Sequence, residues 1–348
     1  MTDPAFLLNV PDEVMNCILK RVDFRSILVL RKVCHDLRNF IDEYKTESHL
    51  QNVGVCVTSD SIKLDMPFNI ISLNYQKNLD GCLITSYKSK QKLLLNLDFI
   101  EVFLEDFKAL LRFQKDSVNH FYFHFKIFSS DENNFLKRME QNLKSWDHPI
   151  PIQRFNSTTV SQKEIMSILP YLDAKCLETI ELSTPDYDRI IPMEMDQIIE
   201  LNQWKNGKTV TIQKLMTSTS LHHFSHFSRV TIVCNFLTGQ DVTILKDMFL
   251  ASTSLKSFQV NAKCVNIRQY CEILGPASTD RSRFGKITNA WTYNIPQNDR
   301  CLKFNLSVTS VTEDKDTTES IATNSLVTTA TDKAATQDAE VTTAAAEG

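Results

Sequence analysis

Apolar and polar residues along this chain follow two periods, and the period changes near residue 45. Before that point apolar side chains recur every three or four positions, as one face of a helix requires. Val14, Ile18 and Leu19 form one such set and Ile27, Leu28 and Leu30 a second; Val33, Cys34, Leu37, Phe40 and Ile41 form a third. Pro11 suits a first helical turn, where its missing N–H costs nothing. Asp12 and Glu13 follow it, and Lys20 and Arg21 close the helix, the charge order that the macrodipole favours. Asp23 is placed to cap the second helix. Three short helices in about 40 residues enclose only a small core. A miniature with this many large apolar side chains is expected to bury some of them against a partner.

After Lys45 a short connection leads to a different pattern, apolar-x-x-apolar-x-apolar, in which the last two positions carry the period of two of a strand. It occurs at Phe68/Ile71/Leu73, Leu94/Leu97/Phe99, Val118/Phe121/Phe123, Leu177/Ile180/Leu182, Phe227/Val230/Ile232 and Leu255/Phe258/Val260, with Gly207/Val210/Ile212 a near match. Helical stripes lie between these strands. Phe103, Phe107, Leu110 and Leu111 make one, and Ile244, Leu245, Met248 and Phe249 another. Ser161 and Glu164 form a capping box ahead of Ile165, Ile168, Leu169 and Leu172. The strand starts at 68, 94, 118, 177, 207, 227 and 255 give steps near the 20–29 residues of a leucine-rich repeat. The gap after 118 has room for one more strand near Ile152 and Phe155. The expected fold is α+β and multidomain: three helices over 6–45, a linker over 46–61, then an irregular leucine-rich-repeat-like α/β solenoid with a parallel sheet over 62–309.

Composition narrows the function. Among 348 residues there are seven glycines, and no GxGxxG, GxxxxGK[ST] or GxSxG, so glycine-dependent phosphate loops and the nucleophile elbow are absent. Nine cysteines include no CxxC pair, the usage of a reduced compartment, and no apolar run is long enough for a membrane span. The expected location is cytosolic or nuclear, with no membrane partner. The net charge of −4 is uneven: residues 310–348 hold eight acids and two lysines, leaving +2 on the rest. A near-neutral body argues against direct nucleic-acid binding. The tail over 310–348, with ten Thr, eight Ala and no aromatic ring, is expected to be disordered.

The stretch VPDEVMNCILKRVDFRSILVLRKVCHDLRNFI, Val10 to Ile41, resembles an F-box. The resemblance implies docking onto a Skp-family adaptor, and through it onto a cullin–RING ubiquitin ligase. The adaptor contacts are expected from Val10, Pro11, Val14, Ile18, Leu19, Ile27, Leu28, Val33, Cys34 and Leu37. Leu37 stands where many F-boxes carry Trp, and Val10 where many begin with Leu. The segments LPYLDAKCLETIEL, IIELNQWKNGKTVTI and HFSRVTIVCNF, followed by DVTILKDMFL, are similar to the FTH domain (domain of unknown function 38) of nematode-type F-box proteins. That resemblance implies a substrate-recognition subunit of a Skp–cullin–F-box ligase, non-catalytic and without cofactor, that binds an unknown target protein through its C-terminal part. The runner-up is an adaptor-bound scaffold acting without ubiquitination.

In a parallel sheet the residues between the core positions face outward on one surface. The outward row reads Ser72 and Asn74, Asn96 and Asp98, His120, Tyr122 and His124, Arg154 and Asn156, Thr179 and Glu181, Thr209 and Thr211, Arg229 and Thr231, and Ser257 and Gln259. His120, Tyr122, His124, Arg154, Glu181, Arg229 and Gln259 are the expected target contacts. His222, His223 and His226 have no acidic or Cys ligand at a metal-binding spacing, and read as a helix face anchored by Phe224 and Phe227. No nucleophile stands in an activating motif.

Overall fold

A computed structural model describes residues 10–22, 24–30, 33–44, 50–66, 71–111, 117–126, 132–185, 190–281, 286–294, 300–309 and 324–332. The chain forms two units, Met1–Thr159 with Lys163–Glu178, and Val160–Gln162 with Thr179–Gly348.

The first unit begins with α1 (Asp12–Leu19), α2 (Phe24–Leu30) and α3 (His35–Tyr44). Pro11 is extended before α1, and its carbonyl accepts from the Val14 and Met15 N–H groups at 2.9 and 3.0 Å. Met15, Leu19, Ile27, Leu37 and Ile41 close a small core, and Val10, Val22, Leu30, Cys34 and Phe40 pack around it.

A five-strand antiparallel meander follows: β1 (Asn52–Val57), β2 (Ser61–Met66), β3 (Ile71–Asn78), β4 (Gly81–Ser86) and β5 (Gln91–Leu95). Val53, Val55 and Val57 alternate inward against Ile62, Leu64 and Met66. The turn between them is tied by Thr58, whose hydroxyl oxygen accepts from the Ser61 N–H at 3.1 Å. Gly81 opens β4 with φ +146°, and a Cβ there would stand 2.1 Å from the Leu94 carbonyl oxygen, so only glycine fits.

Next come α4 (Phe99–Leu111), β6 (Val118–Phe125), α5 (Glu132–Lys144) and β7 (Ile152–Thr158). β6 runs parallel to β1 on one side and to β7 on the other. The buried face is aromatic. Phe107 lies 6.0 Å from Phe121, Phe121 lies 6.0 Å from Phe155, and Phe135 of α5 sits against Phe123 and Phe125. Each such ring stabilises by about 1.5–3 kcal/mol on full burial. Tyr75 is edge-on to Phe103 and its hydroxyl donates to Asp106 at 2.8 Å; burial, then the Asp106 charge, push that hydroxyl's pKa well up.

α6 (Gln162–Met166) is short. The stripe Ile165, Ile168, Leu169 and Leu172 is fully buried as its spacing predicts, but Pro170 turns the second half into a 3-10 turn at Leu169–Tyr171 because a proline cannot continue the helix. Glu164 is buried and accepts from the Thr159 hydroxyl at 2.7 Å.

In the second unit β8 (Thr179–Ser183), β10 (Thr209–Thr217), β11 (Arg229–Leu237) and β12 (Ser257–Val265) are parallel. Between β8 and β10 lie β9 (Ile191–Met193) and α7 (Asn202–Lys205); α8 (Gly239–Ala251) joins β11 to β12. β10 pairs with β8 up to Gln213 and with β9 from Leu215; its register against β11 shifts between Thr211 and Met216, the stretch in which Lys214 takes φ 59°. α8 opens on a capping box of Thr238 and Asp241. It buries Val242, Leu245, Met248 and Phe249. α9 (Ile267–Leu274) follows, capped by Asn266. The antiparallel strands β13 (Ser278–Arg281), β14 (Lys286–Asn294), β15 (Arg300–Thr309) and β16 (Asn324–Asp332) end the described chain, with β16 also pairing β12.

The expected α+β class holds, with a large mixed sheet. Strands stand where the pattern placed them at 118, 177, 207, 227 and 255, and β7 fills the gap foreseen near Ile152. In the last three full matches of the pattern, the first apolar residue (Leu177, Phe227 or Leu255) is buried just ahead of its strand.

Several expectations change. Leu94/Leu97/Phe99 is not one strand: Leu94 is in antiparallel β5, which stops at Leu95, Asn96 takes φ 59°, and the Asp98 carboxylate accepts from the N–H groups of Ile100 and Glu101 to cap α4. Asn96 and Asp98 therefore leave the outward row. Phe68 lies outside the described residues, and its partners Ile71 and Leu73 belong to an antiparallel strand, not a parallel one. Residues 52–57, expected as linker, form β1, because the Val-x-Val-x-Val run gives a strand half its buried face. Residues 324–332, expected within a disordered tail, form β16; β-branched Val and Thr there pair onto existing strands and need no core of their own. His222 and His223 lie in a 3-10 turn, Leu221–Phe224, rather than on a longer helix, while Phe224 and Phe227 are buried anchors as read.

Candidate interaction surfaces

The first surface belongs to α1–α3. The expected adaptor residues separate into two groups. Leu19, Ile27 and Leu37 are buried in the helices' own core, so they hold the module together and present no side chain outward. Val10 and Cys34 pack against that core half-exposed. Pro11 is exposed, and so are Val14 at 46 %, Ile18 at 38 % and Val33 at 64 %. Val29 of α2, which the periodicity did not single out, joins them at 57 %. The side chain of Leu28 lies outside the described residues. Val14 and Ile18, four residues apart, share one face of α1. Val14 and Ile18 on α1, Val29 on α2 and Val33 in the turn ahead of α3 are four large apolar side chains that the module's own core leaves uncovered.

The second surface is the outer face of the sheet in the first unit. His120, Tyr122 and His124 all point away from Phe121 and Phe123, as the alternation predicts. Tyr122 stacks on His124 at 6.5 Å with 15° between rings and lies 5.5 Å from His120, whose Nδ1 shares a 2.7 Å hydrogen bond with the Tyr122 hydroxyl. His124 Nδ1 bonds the Thr158 hydroxyl at 2.7 Å. Burial, helped by Lys126, lowers the His124 pKa below the ordinary histidine value.

The register sets Asn52, Gly54 and Cys56 of β1 beside His120, Tyr122 and His124, and Arg154 and Asn156 of β7 on their other side. Gly54 has no side chain between Asp65 and Tyr122. A hollow of about 640 Å³ opens there, lined by Asn52, Gly54, Asp65 and the three ring residues among others. A Cβ at Gly54 would meet only ordinary contacts, 3.7 Å or more from Asp65 and Tyr122, so the hollow is room left free and not a conformational need. Asp65 is paired with Lys63 at 2.8 Å. Asn52 and Gly54 were missed because β1 was read as linker, and the Val53-Val55-Val57 alternation was the signal that would have found them; Asp65, on β2 beside them, alternates with Leu64 and Met66.

Glu181, Arg229 and Gln259 lie on the second unit and are described by themselves. Register places Glu181 beside Thr211 and Thr231 beside Gln259, with Arg229 flanked by Thr209 and Ser257. All alternate with buried Ile180, Leu182, Val230, Ile232, Phe258 and Val260, so they face outward as expected. His226 is engaged, its Nε2 2.8 Å from the Trp204 carbonyl oxygen; burial lowers its pKa. Cys234 is a thiol pushed up by burial to about 12, which keeps it protonated and unreactive.

A helical miniature with exposed apolar residues thus precedes a strand–helix domain whose outward strand residues are polar. The F-box family model matches residues 7–47 and the FTH domain model residues 133–277. The first match spans α1–α3, and the second starts at α5 and ends ahead of β13. A similar curated protein is F-box A protein 224 of Caenorhabditis elegans, 25% identical over 284 residues, covering 78% of this chain and 71% of the relative. No solved structure matches. The chain is an F-box protein. With its FTH domain it belongs to the nematode-type F-box proteins. F-box domains generally bind Skp-type adaptors within cullin–RING ligases, and neither domain is of an enzymatic family.

Proposed function

We propose that this chain is the substrate-recognition subunit of a Skp–cullin–F-box ubiquitin ligase, working in the cytosol or nucleus. The observation that carries the reading is the division within α1–α3: a closed core of five residues leaves Val14, Ile18, Val29 and Val33 uncovered, and the adaptor covers them. The target binds on the outer sheet faces. In the first unit it meets the stacked His120, Tyr122 and His124 above the Gly54 hollow. In the second it meets Glu181, Arg229 and Gln259. The parallel strands there start at 179, 209, 229 and 257, 30, 20 and 28 residues apart, which supports a leucine-rich-repeat-like solenoid with a binding face along its strands. The receptor catalyses nothing itself; it raises the effective concentration of target lysines near the charged conjugating enzyme.

The test is affinity purification with quantitative mass spectrometry of the wild type and Ile18→Asp. Wild type is expected to bring down adaptor and cullin. The variant is expected to lose both while its targets accumulate and live longer in cells. Adaptor at wild-type yield on Ile18→Asp refutes the docking face. Targets with an unchanged lifetime identify a scaffold that acts without ubiquitination.

A further inference from the structure

The β4–β5 hairpin of the first unit carries a feature that the target-binding row does not use. Among the described residues β5 pairs with β4 alone, so its far side is a sheet edge. The Asn96 N–H donates to the Asp80 carbonyl at 2.8 Å and the Ser86 N–H to the Lys90 carbonyl at 2.9 Å. These two bonds bracket the ladder and fix its phase. In an antiparallel pair the bonding residues alternate, so Lys90, Lys92, Leu94 and Asn96 turn their backbone groups toward β4. Gln91, Leu93 and Leu95 turn their N–H and C=O groups outward.

Natural sheets shield such an edge, with a cover, a bulge or charge. This one carries lysines but also leaves Leu93, Leu95 and Leu97 exposed, with Leu79 and Tyr87 exposed in the turns at its two ends. The residues alternate on β5: Leu93 and Leu95 stand on one face, and Lys90 and Lys92 on the other, with Lys88 in the turn. Asp80 lies at the opposite end of the hairpin, beside Asn96, and Asp98 is already paired with Arg138 at 2.8 Å.

We propose that β5 is a docking edge that takes an extended segment of a partner protein as an added strand, and that the segment alternates apolar with acidic residues. Its backbone bonds the outward groups of Gln91, Leu93 and Leu95. Its apolar side chains lie beside Leu93 and Leu95, and its carboxylates beside Lys90 and Lys92. The same lysines select against a second copy of this chain, because two β5 edges would bring like charges side by side.

The experiment pans a displayed hexapeptide library on the full chain and on two variants. Leu93→Pro removes an outward N–H without touching the β4 ladder, a position where an edge strand tolerates proline. Lys90→Glu with Lys92→Glu reverses the charge. Wild type is expected to enrich sequences alternating apolar residues with Asp or Glu. The leading peptide is expected to slow amide exchange at Gln91, Leu93 and Leu95. Leu93→Pro, melting near wild type, is expected to retain that peptide up to about tenfold less, the effect of losing one net hydrogen bond. The charge-reversed chain is expected to select basic alternation instead, which keeps the test open if the proline variant folds poorly. Absence of enrichment, enrichment without acidic alternation, or equal retention on a folded Leu93→Pro overturns the proposal. So does a wild-type dimer by light scattering that Leu93→Pro dissolves, since the edge then serves a second copy. None of these readouts involves adaptor docking; Ile18→Asp is expected to bind the peptide as wild type does.

Discussion

In α1, two residues adjacent in sequence meet opposite fates: Leu19 is fully buried and Ile18 is 38 % exposed. In β6 adjacent residues also part, Phe121 inward and Tyr122 outward, but there the division follows from the backbone alone. Successive strand side chains alternate faces by geometry, so period two separates core from surface before any partner element is known. A helix of eight residues has its apolar positions spread over a wide arc, and only the neighbouring helices decide which part of that arc is covered. The F-box therefore announced itself as a set of apolar residues without saying which of them hold the module and which stay exposed. The sheet did the reverse: it showed its outward row while leaving open what binds there.

The difference can be broken from both sides. The largest effect is expected from Phe121→Ala, which removes a ring packed between Phe107, Phe123 and Phe155 and is expected to cost about 3–5 kcal/mol in denaturant unfolding. Leu19→Ala is expected to cost about 2–5 kcal/mol of local stability in the helices and to lose the adaptor through unfolding, seen as fast amide exchange across α1–α3. Ile18→Asp should leave exchange and melting nearly unchanged, within about 0.5 kcal/mol, yet weaken adaptor binding by roughly 30-fold or more, as an interface hot spot does. Matching losses of stability for Ile18 and Leu19 would erase the division.

Gly54→Leu probes the outer face. Its Cβ fits without clash, so the variant is expected to melt near wild type, to keep the adaptor, and to lose targets by filling the hollow. Retained targets would move recognition off this face.

The smallest effect is one of pH. Burial holds the folded-state pKa of His124 below the ordinary histidine value. The unfolded chain therefore binds more protons in the window between the two values, and stability falls as pH drops from about 6.5 through the lowered pKa. His226 adds a fall of the same sign in the second unit. Melting curves from pH 7.5 to 5 are expected to decline, and His124→Gln to decline less.

Much of this protein was legible early. The F-box rests on an ordered run of residue types over thirty positions, and the parallel strands rest on buried alternation that needs no knowledge of neighbours. Local chemistry hid the rest. Pro170 cut a helix whose stripe was otherwise right. Asn96 and Asp98 turned an apolar triplet into a strand end and a helix cap. The Val53-Val55-Val57 run was overlooked as β1, and with it Gly54 and the hollow.

Which segments are helix or strand, and which strand residues point outward, lies in the sequence, because both follow from local sterics and side-chain period. Tertiary structure alone decided that Leu19, Ile27 and Leu37 close the F-box core while Ile18 and Val33 stay open, that β1 sets a glycine between Asp65 and Tyr122, and that β5 pairs with β4 alone among the described residues. Those three facts are matters of which neighbour arrives and which does not. Burial, free space and an unpaired edge are properties of pairs of elements, brought together by residues far apart in the chain.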